Sequence, residues 1–204
     1  PAYSKKGLRD NLPGIKDAIN GLLSNYRIKI MDLAGISLAF PGIVDVKHCQ
    51  VLATNEKYDD ACDLNLKLWY ESNWGVPFYM DNDTRLATIG EWVCGAARGL
   101  DNVVMMTIGT GIGTGVILDG RVLYGEHYQA GSLGGHFVVD YKGRKCSCGN
   151  VGCVEALSSS FFLPSIIKEN LNLSASFKEK ADYYDFEQIF KLASDGDVDA
   201  LIVC

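Results

Sequence analysis

Several features that would assign a chain to a special class are missing from this sequence. No apolar run reaches transmembrane length (about 18 residues), and the opening residues, PAYSKKGLRDNLPG, are not a basic segment followed by an apolar one. Lysine and arginine never cluster beyond a pair, and the formal net charge is −6, which argues against a nucleic-acid surface in this stretch. We therefore expect a cytoplasmic protein without membrane partners and, in this stretch, without nucleic-acid partners.

Short repeats and low-complexity segments are also missing. The chain has 204 residues, of which 48% are hydrophobic and 22% charged. A chain of this length and composition can bury a sizeable core, in one large domain or in two small ones.

Cysteine is scarce except at one place. Of seven cysteines, three fall within CSCGNVGC, at positions 146, 148 and 153. Cys146 and Cys148 are too close in sequence to form a comfortable disulfide, and a cytoplasmic chain is surrounded by reductants. A bound metal ion is the better explanation. The other cysteines lie in segments typical of a core, where a thiol packs as a small apolar group: Cys49, Cys62, Cys94 and Cys204.

A fourth metal ligand is required, because structural zinc is tetrahedral and binds thiolates and imidazole nitrogens. His136 precedes the cysteines in GGHFVVDYKGRKCSCG. FVV is typical of a short strand and KGR of the turn that brings the chain back, while Gly149 and Gly152 permit a tight loop. The alternative is three surface thiols in a glycine-rich loop. The predicted zinc ligands are His136, Cys146, Cys148 and Cys153.

The first part of the chain alternates helical and strand patterns. LPGIKDAINGLLSNY (12–26) places Ile15, Ile19, Leu22 and Leu23 on one helical face. LAGISLAF, ended by Pro41-Gly42, predicts a strand buried on both faces. A helix over 63–74 and a strand in VPFYM follow. The alternation indicates an α/β fold with a largely parallel sheet.

The remainder predicts a helix, a series of hairpins and further helices. A helix begins at Asp83 or just after it and ends before Gly99. VVMMTIGTGIGTGVILDGRVLY predicts strand, glycine turn, strand, a tight Asp119-Gly120 turn and a third strand. Helical patterns return from Glu155 to about residue 172 and over residues 186–204.

The glycine segment GTGIGTG (109–115) lacks the GxxxxGK[ST] pattern, and no helix follows it as a dinucleotide-binding turn requires. One interpretation is a hairpin whose backbone needs positive φ. The other is a loop whose N–H groups bind phosphate oxygens, with the Thr110 hydroxyl as a further donor. The segment alone does not decide between them.

Asn82-Asp83 stands at a predicted helix start. A carboxylate at that position is favoured in its charged form by the unpaired N–H groups and can accept a proton from a substrate hydroxyl. Asp83 would then be a general base. The alternative is that Asp83 only caps its helix.

Four stretches, taken in order, resemble the ROK family of bacterial sugar kinases and sugar-responsive repressors. They are FPGIVD, DNDTRLATIGEWVCGAARG, IGTGIGTGVILDGRVLYGE and AGSLGGH followed by CSCGNVGCVEA, spanning most of residues 35–160. The resemblance implies an α/β, actin-like ATPase (ribonuclease H-like) fold of two lobes that close over the substrate. Residues 1–98 would belong to the N-terminal lobe and 99–204 to the C-terminal lobe, with an inserted zinc module at 131–156.

The resemblance also implies the roles of individual residues. Asp83 would be the general base on the sugar 6-hydroxyl, Asn82 and Glu155 would bind other hydroxyls, and the Gly42 loop would line the pocket. His136 would bind zinc and also approach the sugar. ATP, with Mg²⁺, would bind through its phosphates to the glycine segment, and a homodimer is expected. The ATP-binding residues would be Gly109, Thr110, Gly111 and Gly113.

Two departures from the family pattern stand out. Family members open with a strand and a DxGGT-like phosphate loop and end with a glycine-containing helical segment that helps hold adenosine; this chain shows neither, so the fold is expected to be incomplete at both ends. Leu133 stands where the family has a sugar-binding glutamate. A shift of one residue would put Ser132 at that position instead.

The leading hypothesis is ATP-dependent phosphorylation of a hexose or N-acetylhexosamine at the 6-hydroxyl. The alternative is a sugar-sensing ROK repressor whose DNA-binding domain precedes this stretch. A third hypothesis is a zinc-stabilised sugar-binding protein without turnover. The kinase hypothesis leads because Asn82-Asp83 and GTGIG are both intact.

Overall fold

In the computed structural model, residues 7–54 and 57–204 are described. They divide into two compact units. The first takes in the chain up to Met105 together with Gly115–Ser132, and the second consists of Met106–Thr114 and Leu133–Cys204. The lobe division at residue 98 and the limits 131–156 of a zinc module remain predictions.

The first unit contains a parallel strand pair and a hairpin. Strands β1 (Ile36–Phe40) and β4 (Phe78–Asn82) pair in parallel, with Ile36 opposite Phe78 and Phe40 opposite Asn82. Strands β2 (Gly42–Asp45) and β3 (Gln50–Thr54) pair antiparallel. The described strands therefore do not form the largely parallel sheet that the sequence predicts; the parallel part is the two-stranded β1–β4 sheet. The elements up to residue 94 are α1 (Leu12–Asn25), β1 (Ile36–Phe40), β2 (Gly42–Asp45), β3 (Gln50–Thr54), α2 (Leu66–Trp74), β4 (Phe78–Asn82) and α3 (Asp83–Cys94).

Aromatic and aliphatic side chains from these elements form the main core. Tyr70 of α2 stacks on Phe78 of β4 with ring centroids 4.2 Å apart, a geometry that adds about 0.5–1.5 kcal/mol beyond the area buried. Leu12 and Leu23 bury one side of α1, whereas Leu22, predicted for the same face, is 57% exposed. The start of α3 therefore rests on a well-packed β4.

Two predicted elements differ from the structure. In β1, Ser37 and Ala39 are exposed while Phe40 is buried, so the expectation of burial on both faces is wrong; the core covers only the side to which alternate residues point. The helix predicted over 63–74 begins at Leu66, because the side chain of Asn65 accepts a hydrogen bond from Leu68 N and caps it there.

The predicted series of hairpins is confirmed. Strands β5 (Val103–Ile108), β6 (Ile112–Leu118) and β7 (Arg121–Val122) form a sheet in that order. The turn between β6 and β7 has φ of 49° at Asp119 and 66° at Gly120, which is the left-handed pair that a two-residue hairpin requires.

Short helices and irregular chain make up most of the second unit. The helix predicted from Glu155 to 172 is interrupted after Ser158, and the helix predicted over 186–204 is interrupted at Gly196, whose φ is 88°. Apolar side chains such as Ile167, Phe177 and Ile189 give these helices a small core. The helices are α4 (Val154–Ser158), α5 (Leu163–Glu169), α6 (Ala175–Glu179), α7 (Phe186–Ser194) and α8 (Val198–Val203).

Two of the four isolated cysteines are not core residues. Cys49 is buried and Cys62 half-buried, but Cys94 and Cys204 are exposed. The expectation fails because α3 ends at Cys94, short of the predicted stop at Gly99, and because Cys204 follows the last turn of α8. Within residues 7–54 and 57–204, no helix combines the length and apolar character that a membrane span needs.

Candidate functional site

The junction of β4 and α3 displays Asn82 and Asp83. Asn82 Oδ1 accepts a hydrogen bond from Arg85 N at 3.0 Å, which makes Asn82 the N-cap of α3. Asp83 is exposed in the first turn, and its Oδ1 accepts from the adjacent Thr84 N at 2.7 Å. The capping role considered as the alternative for Asp83 therefore belongs to Asn82.

Gly42 lies beside this junction. Asn82 Nδ2 donates to Gly42 O at 3.1 Å. A Cβ at Gly42 would lie 2.6 Å from Ala53 O and 3.0 Å from the Phe40 ring, so the close approach of the β2–β3 hairpin requires glycine. Three predicted sugar-site residues, Gly42, Asn82 and Asp83, are thus neighbours in the first unit.

A buried ion pair underlies the same junction, and the sequence analysis missed it. Arg85 is 1% exposed and Asp81 4% exposed. Arg85 Nη1 donates to Asp81 Oδ1 at 2.8 Å, and Asn82 N donates to the same oxygen at 2.7 Å. The spacing of four residues is a signal for such a pair on a helix, but Asp81 lies in strand β4 and only Arg85 lies in a helix.

Residues that follow β7 complete the ion pair. Tyr124 OH donates to Asp81 Oδ2 at 2.9 Å, and the Arg85 guanidinium lies 4.6 Å from the centre of the Tyr124 ring. Burial, and then the Asp81 carboxylate, raise the pKa of Tyr124 to about 12, so the phenol remains a donor. Arg85 Nη2 donates to Tyr128 O at 3.1 Å and to Ala130 O at 3.3 Å.

Ser132 ends this segment of the first unit. Its Oγ donates to Gln129 O at 3.1 Å, and its side chain is half-buried. The Arg85 bonds to the preceding backbone therefore hold the chain that leads to Ser132. Its predicted contact with a sugar hydroxyl remains a prediction.

In the second unit, the four predicted zinc ligands lie together. Their ligand atoms are all within 4.8 Å of one another. His136 Nδ1 is 3.7 Å from Cys146 Sγ, and Cys148 Sγ is 3.7 Å from Cys153 Sγ. Zinc with Zn–S bonds of about 2.3 Å holds tetrahedral sulfurs about 3.8 Å apart, whereas a disulfide needs about 2.05 Å. The donor set fits a tetrahedral metal ion.

Irregular backbone carries these ligands. The predicted FVV strand reduces to one isolated bridge between Val138 and Cys153, and His136 lies in a 3₁₀ turn. Gly149 and Gly152 have φ of 92° and 73°, a left-handed conformation that confirms the need for glycine in the loop.

The protonation of the thiols depends on whether a metal ion is bound. Cys146 and Cys153 are buried. Burial, and then the hydrogen bonds and charges of the neighbouring cysteines, raise the pKa of Cys153 to about 12. Three clustered thiols lose their protons together when a metal ion compensates their charge. The raised pKa of Cys153 is therefore that of the metal-free thiol, and the case for a metal site rests on the distances between the ligand atoms.

Glu155 is buried in the first turn of α4. Its Oε2 accepts a hydrogen bond from Ile112 N at 2.8 Å, and its Oε1 accepts from Ser147 Oγ at 3.3 Å. Glu155 therefore contacts both the glycine segment and the segment of the metal cluster. The family resemblance implied a sugar contact for Glu155 but neither of these two contacts.

Residues 109–111 of the glycine segment form the turn between β5 and β6, and residues 112–115, with Gly113, lie in β6. None of its glycines, all of which the structure describes, has a positive φ, so the interpretation of a hairpin whose backbone needs positive φ is wrong. Gly109 N donates to Gly111 O at 3.0 Å within the turn, and Ser160 N and Phe161 N donate to Gly109 O and Thr110 O at 2.9 and 3.3 Å. Residues just after α4 therefore support this turn. The predicted phosphate contacts of its members, including Gly113, remain predictions.

The predicted site residues divide between the two units. The first unit holds Gly42, Asn82, Asp83 and Ser132, and the second holds the glycine turn, His136, Glu155 and the cysteines.

Comparison with known proteins assigns a chain with this fold and these site residues to a family. The ROK family model matches residues 6–204, and the chain belongs to the ROK family, which confirms the resemblance of its motifs. Similarity to solved ROK sugar kinases supports the α/β fold of actin-like ATPases.

Individual relatives include both regulators and enzymes. The chain is 31% identical over 199 residues to the xylose repressor of Bacillus subtilis, covering 95% of this chain and 49% of that protein. It is 31% identical over 195 residues to the glucokinase of Halalkalibacterium halodurans, covering 93% and 58%. The structure matches a ROK glucokinase from Streptomyces griseus, solved with glucose and AMPPNP, with a TM-score of 0.73 and 29% identity over 94% of this chain and 62% of that one. The chain spans about half the length of the curated relatives it matches.

Proposed function

We propose that the full-length protein containing this chain phosphorylates the 6-hydroxyl of a hexose or N-acetylhexosamine with ATP. The position of Asp83 carries the proposal. Because Asn82 caps α3, the Asp83 carboxylate is exposed in the first turn of the helix and is not required to cap it. A carboxylate at the positive end of a helix can accept a proton from a bound hydroxyl.

Phosphoryl transfer suits such a site, because alignment and charge neutralisation provide most of the catalysis. Asp83 would take the proton of the 6-hydroxyl as that oxygen attacks the terminal phosphate. Asn82, hydrogen-bonded to Gly42, would orient another hydroxyl. Further sugar contacts would come from Ser132, His136 and Glu155.

The nucleotide would bind through its phosphates to Gly109, Thr110, Gly111 and Gly113. The support is that Ser160 N and Phe161 N brace the β5–β6 turn at Gly109 O and Thr110 O, which fixes the backbone N–H groups that would bind phosphate oxygens. When bound, Mg²⁺ neutralises phosphate charge. Exclusion of water from the sugar hydroxyl is the remaining requirement on the protein.

Zinc would bind to His136, Cys146, Cys148 and Cys153. Their mutual distances match a tetrahedral site. When bound, zinc supplies a structural cross-link. The residues would thereby keep His136 and the chain around Glu155 in place for the sugar.

A second candidate function is a sugar-responsive repressor, favoured by the similarity to the xylose repressor over 95% of this chain. In that case the sugar-binding residues would act without phosphoryl transfer, and DNA binding would be the work of a domain outside this chain. Sugar binding with neither turnover nor DNA binding is the third hypothesis. The cytoplasmic location and the homodimer stay predictions.

The test is an ATP-consumption assay of the full-length protein with glucose, mannose and their N-acetylamino derivatives, accompanied by calorimetric sugar binding. Sugar-dependent ADP formation, with sugar 6-phosphate as product, is the result expected. Tight sugar binding without ADP formation contradicts the kinase proposal. Sugar-dependent release of DNA would then favour the repressor, and its absence would favour the sugar-binding protein.

A further inference from the structure

The Glu155 carboxylate joins two segments that are distant in sequence. One oxygen binds Ile112 N, 43 residues away, at 2.8 Å. The other oxygen binds Ser147 Oγ at 3.3 Å and lies 3.9 Å from Cys146 Sγ. Glu155 is 7% exposed, and a buried carboxylate needs such donors to offset its lost hydration. The two segments thus depend on the same buried group.

The Glu155 carboxylate lies close to the backbone of Gly111. A Cβ at Gly111 would lie 2.6 Å from Glu155 Oε2. Its φ is outside the left-handed region, so an alanine could adopt the backbone conformation but would displace the carboxylate. Glycine is therefore needed at position 111 to leave room for the Glu155 carboxylate, and not to permit a left-handed backbone conformation.

A second connection joins the glycine turn to the residues before His136. Gly134 N donates to Thr114 Oγ1 at 2.9 Å. A Cβ at Gly135 would lie 2.1 Å from Ile112 O. The strand leaving the glycine turn thus contacts both ligand-bearing segments of the metal cluster.

We propose that Glu155 is a positioning residue that couples the His136–cysteine cluster to the glycine turn. Metal binding by the cluster fixes the position of Ser147, whose hydroxyl donates to the Glu155 carboxylate. The carboxylate in turn accepts a hydrogen bond from Ile112 N and so fixes the end of the glycine turn. A carboxylate can accept about four hydrogen bonds, so a sugar contact by Glu155 is compatible with this role. The expected effect on nucleotide binding rests on the proposed kinase function, whereas the coupling between the cluster and the turn does not.

Hydrogen–deuterium exchange on the full-length, metal-loaded protein tests the coupling without any assay of activity. Glu155→Ala should raise the exchange rate of the Ile112 amide at least about tenfold, since a buried hydrogen bond to a charged group is lost. Glu155→Gln keeps an oxygen acceptor and should raise the rate less. Ser147→Ala, which leaves all four metal ligands in place, should raise it about threefold by loosening the carboxylate.

Metal removal gives the complementary measurement. Chelation should raise exchange across residues 109–114 in the wild type, and by a smaller factor in Glu155→Ala, where one of the two connections is already lost. The metal content of Glu155→Ala should equal that of the wild type. Unchanged Ile112 exchange in Glu155→Ala and in Ser147→Ala would overturn the proposal.

Nucleotide affinity separates this inference from the proposed function. Glu155→Ala should weaken binding of a non-hydrolysable ATP analogue at least about tenfold by releasing the turn, while Gly90→Ala, whose Cβ meets no atom within 4 Å, should not. If the wild type binds no nucleotide, the kinase proposal fails while the exchange data still decide the coupling. Normal analogue affinity in Glu155→Ala, beside a wild type that binds the analogue, would contradict the role of Glu155.

Discussion

The start of α3 and the cysteine-rich segment present functional groups by different physical means. Asn82 and Asp83 lie where a paired strand ends and a capped helix begins, above a buried ion pair. His136 and the cysteines lie on irregular backbone with isolated bridges. The buried apolar cluster around them is small: Cys146, Cys153 and Ala156, with Phe162 partly buried against it.

This difference determines what each region needs in order to form. Strand pairing and helix capping satisfy the backbone at the α3 start without external groups. The backbone hydrogen bonds of the cysteine segment, such as Cys146 N to Asn150 O at 2.8 Å, belong to turns and isolated bridges rather than to a paired strand or a long helix. A bound metal ion would add cross-links that this irregular backbone does not supply. We therefore expect metal removal to affect the second region strongly and the first hardly at all.

The largest effect is expected from Cys148→Ser. Metal binding in small zinc sites is worth about 10–16 kcal/mol, and loss of one thiolate should lower the zinc content well below one per chain and lower the unfolding temperature. Mass spectrometric metal analysis and calorimetry are the measurements. Cys204→Ser, at an exposed cysteine outside the cluster, is the control. Full zinc content in Cys148→Ser would contradict a role for Cys148 as a zinc ligand and the expected dependence of the cysteine-rich segment on metal.

Asp83→Asn should lower turnover about 10²–10⁴-fold while sugar affinity changes little, because the amide keeps the size and polarity of the carboxylate but cannot take the proton. Steady-state kinetics and calorimetry measure the two quantities. Asp119→Asn, an exposed aspartate in the β6–β7 turn, should leave both unchanged. Turnover near that of the wild type would mean that Asp83 is not the base.

Arg85→Met should destabilise the first unit by about 3–5 kcal/mol, since it leaves Asp81 charged and buried without its partner. Urea unfolding measures the free energy. The matched control is Lys168→Met, which breaks an ion pair whose side chains are 49% and 64% exposed and should cost only about 0–1 kcal/mol. Equal costs for the two variants would show that the ion pair beneath α3 does not stabilise that region.

The smallest effect concerns Leu133, which cannot accept a hydrogen bond from a sugar hydroxyl. An unpaired polar group costs about 1–3 kcal/mol, so plain glucose should bind weakly, and Leu133→Glu should strengthen it relative to N-acetylated sugars. Binding of glucose, mannose and their N-acetylamino derivatives gives the ranking. If Ser132→Ala alters the ranking and Leu133→Glu does not, Ser132 is the sugar contact instead.

Features set by neighbouring residues were predicted well. The start of α3 follows from Asn82-Asp83, and the β6–β7 turn from Asp119-Gly120, because capping and tight turns involve residues within a few positions. The spacing of His136 and the three cysteines also led to a compact cluster. The break after Ser158 was missed. Pro164 signals it, because proline is tolerated in the first turn of a helix, where α5 has it, but not in a helix interior.

The sequence by itself determined which groups stand at strand ends, helix starts and turns, and therefore which chemistry each region can offer. Tertiary structure alone decided which distant partners those groups have. Glu155 binds Ile112 N, and Arg85 binds the carbonyls of Tyr128 and Ala130, across separations that no local pattern encodes. A buried charge must find donors or acceptors wherever the folded chain brings them, and that location follows from packing rather than from spacing.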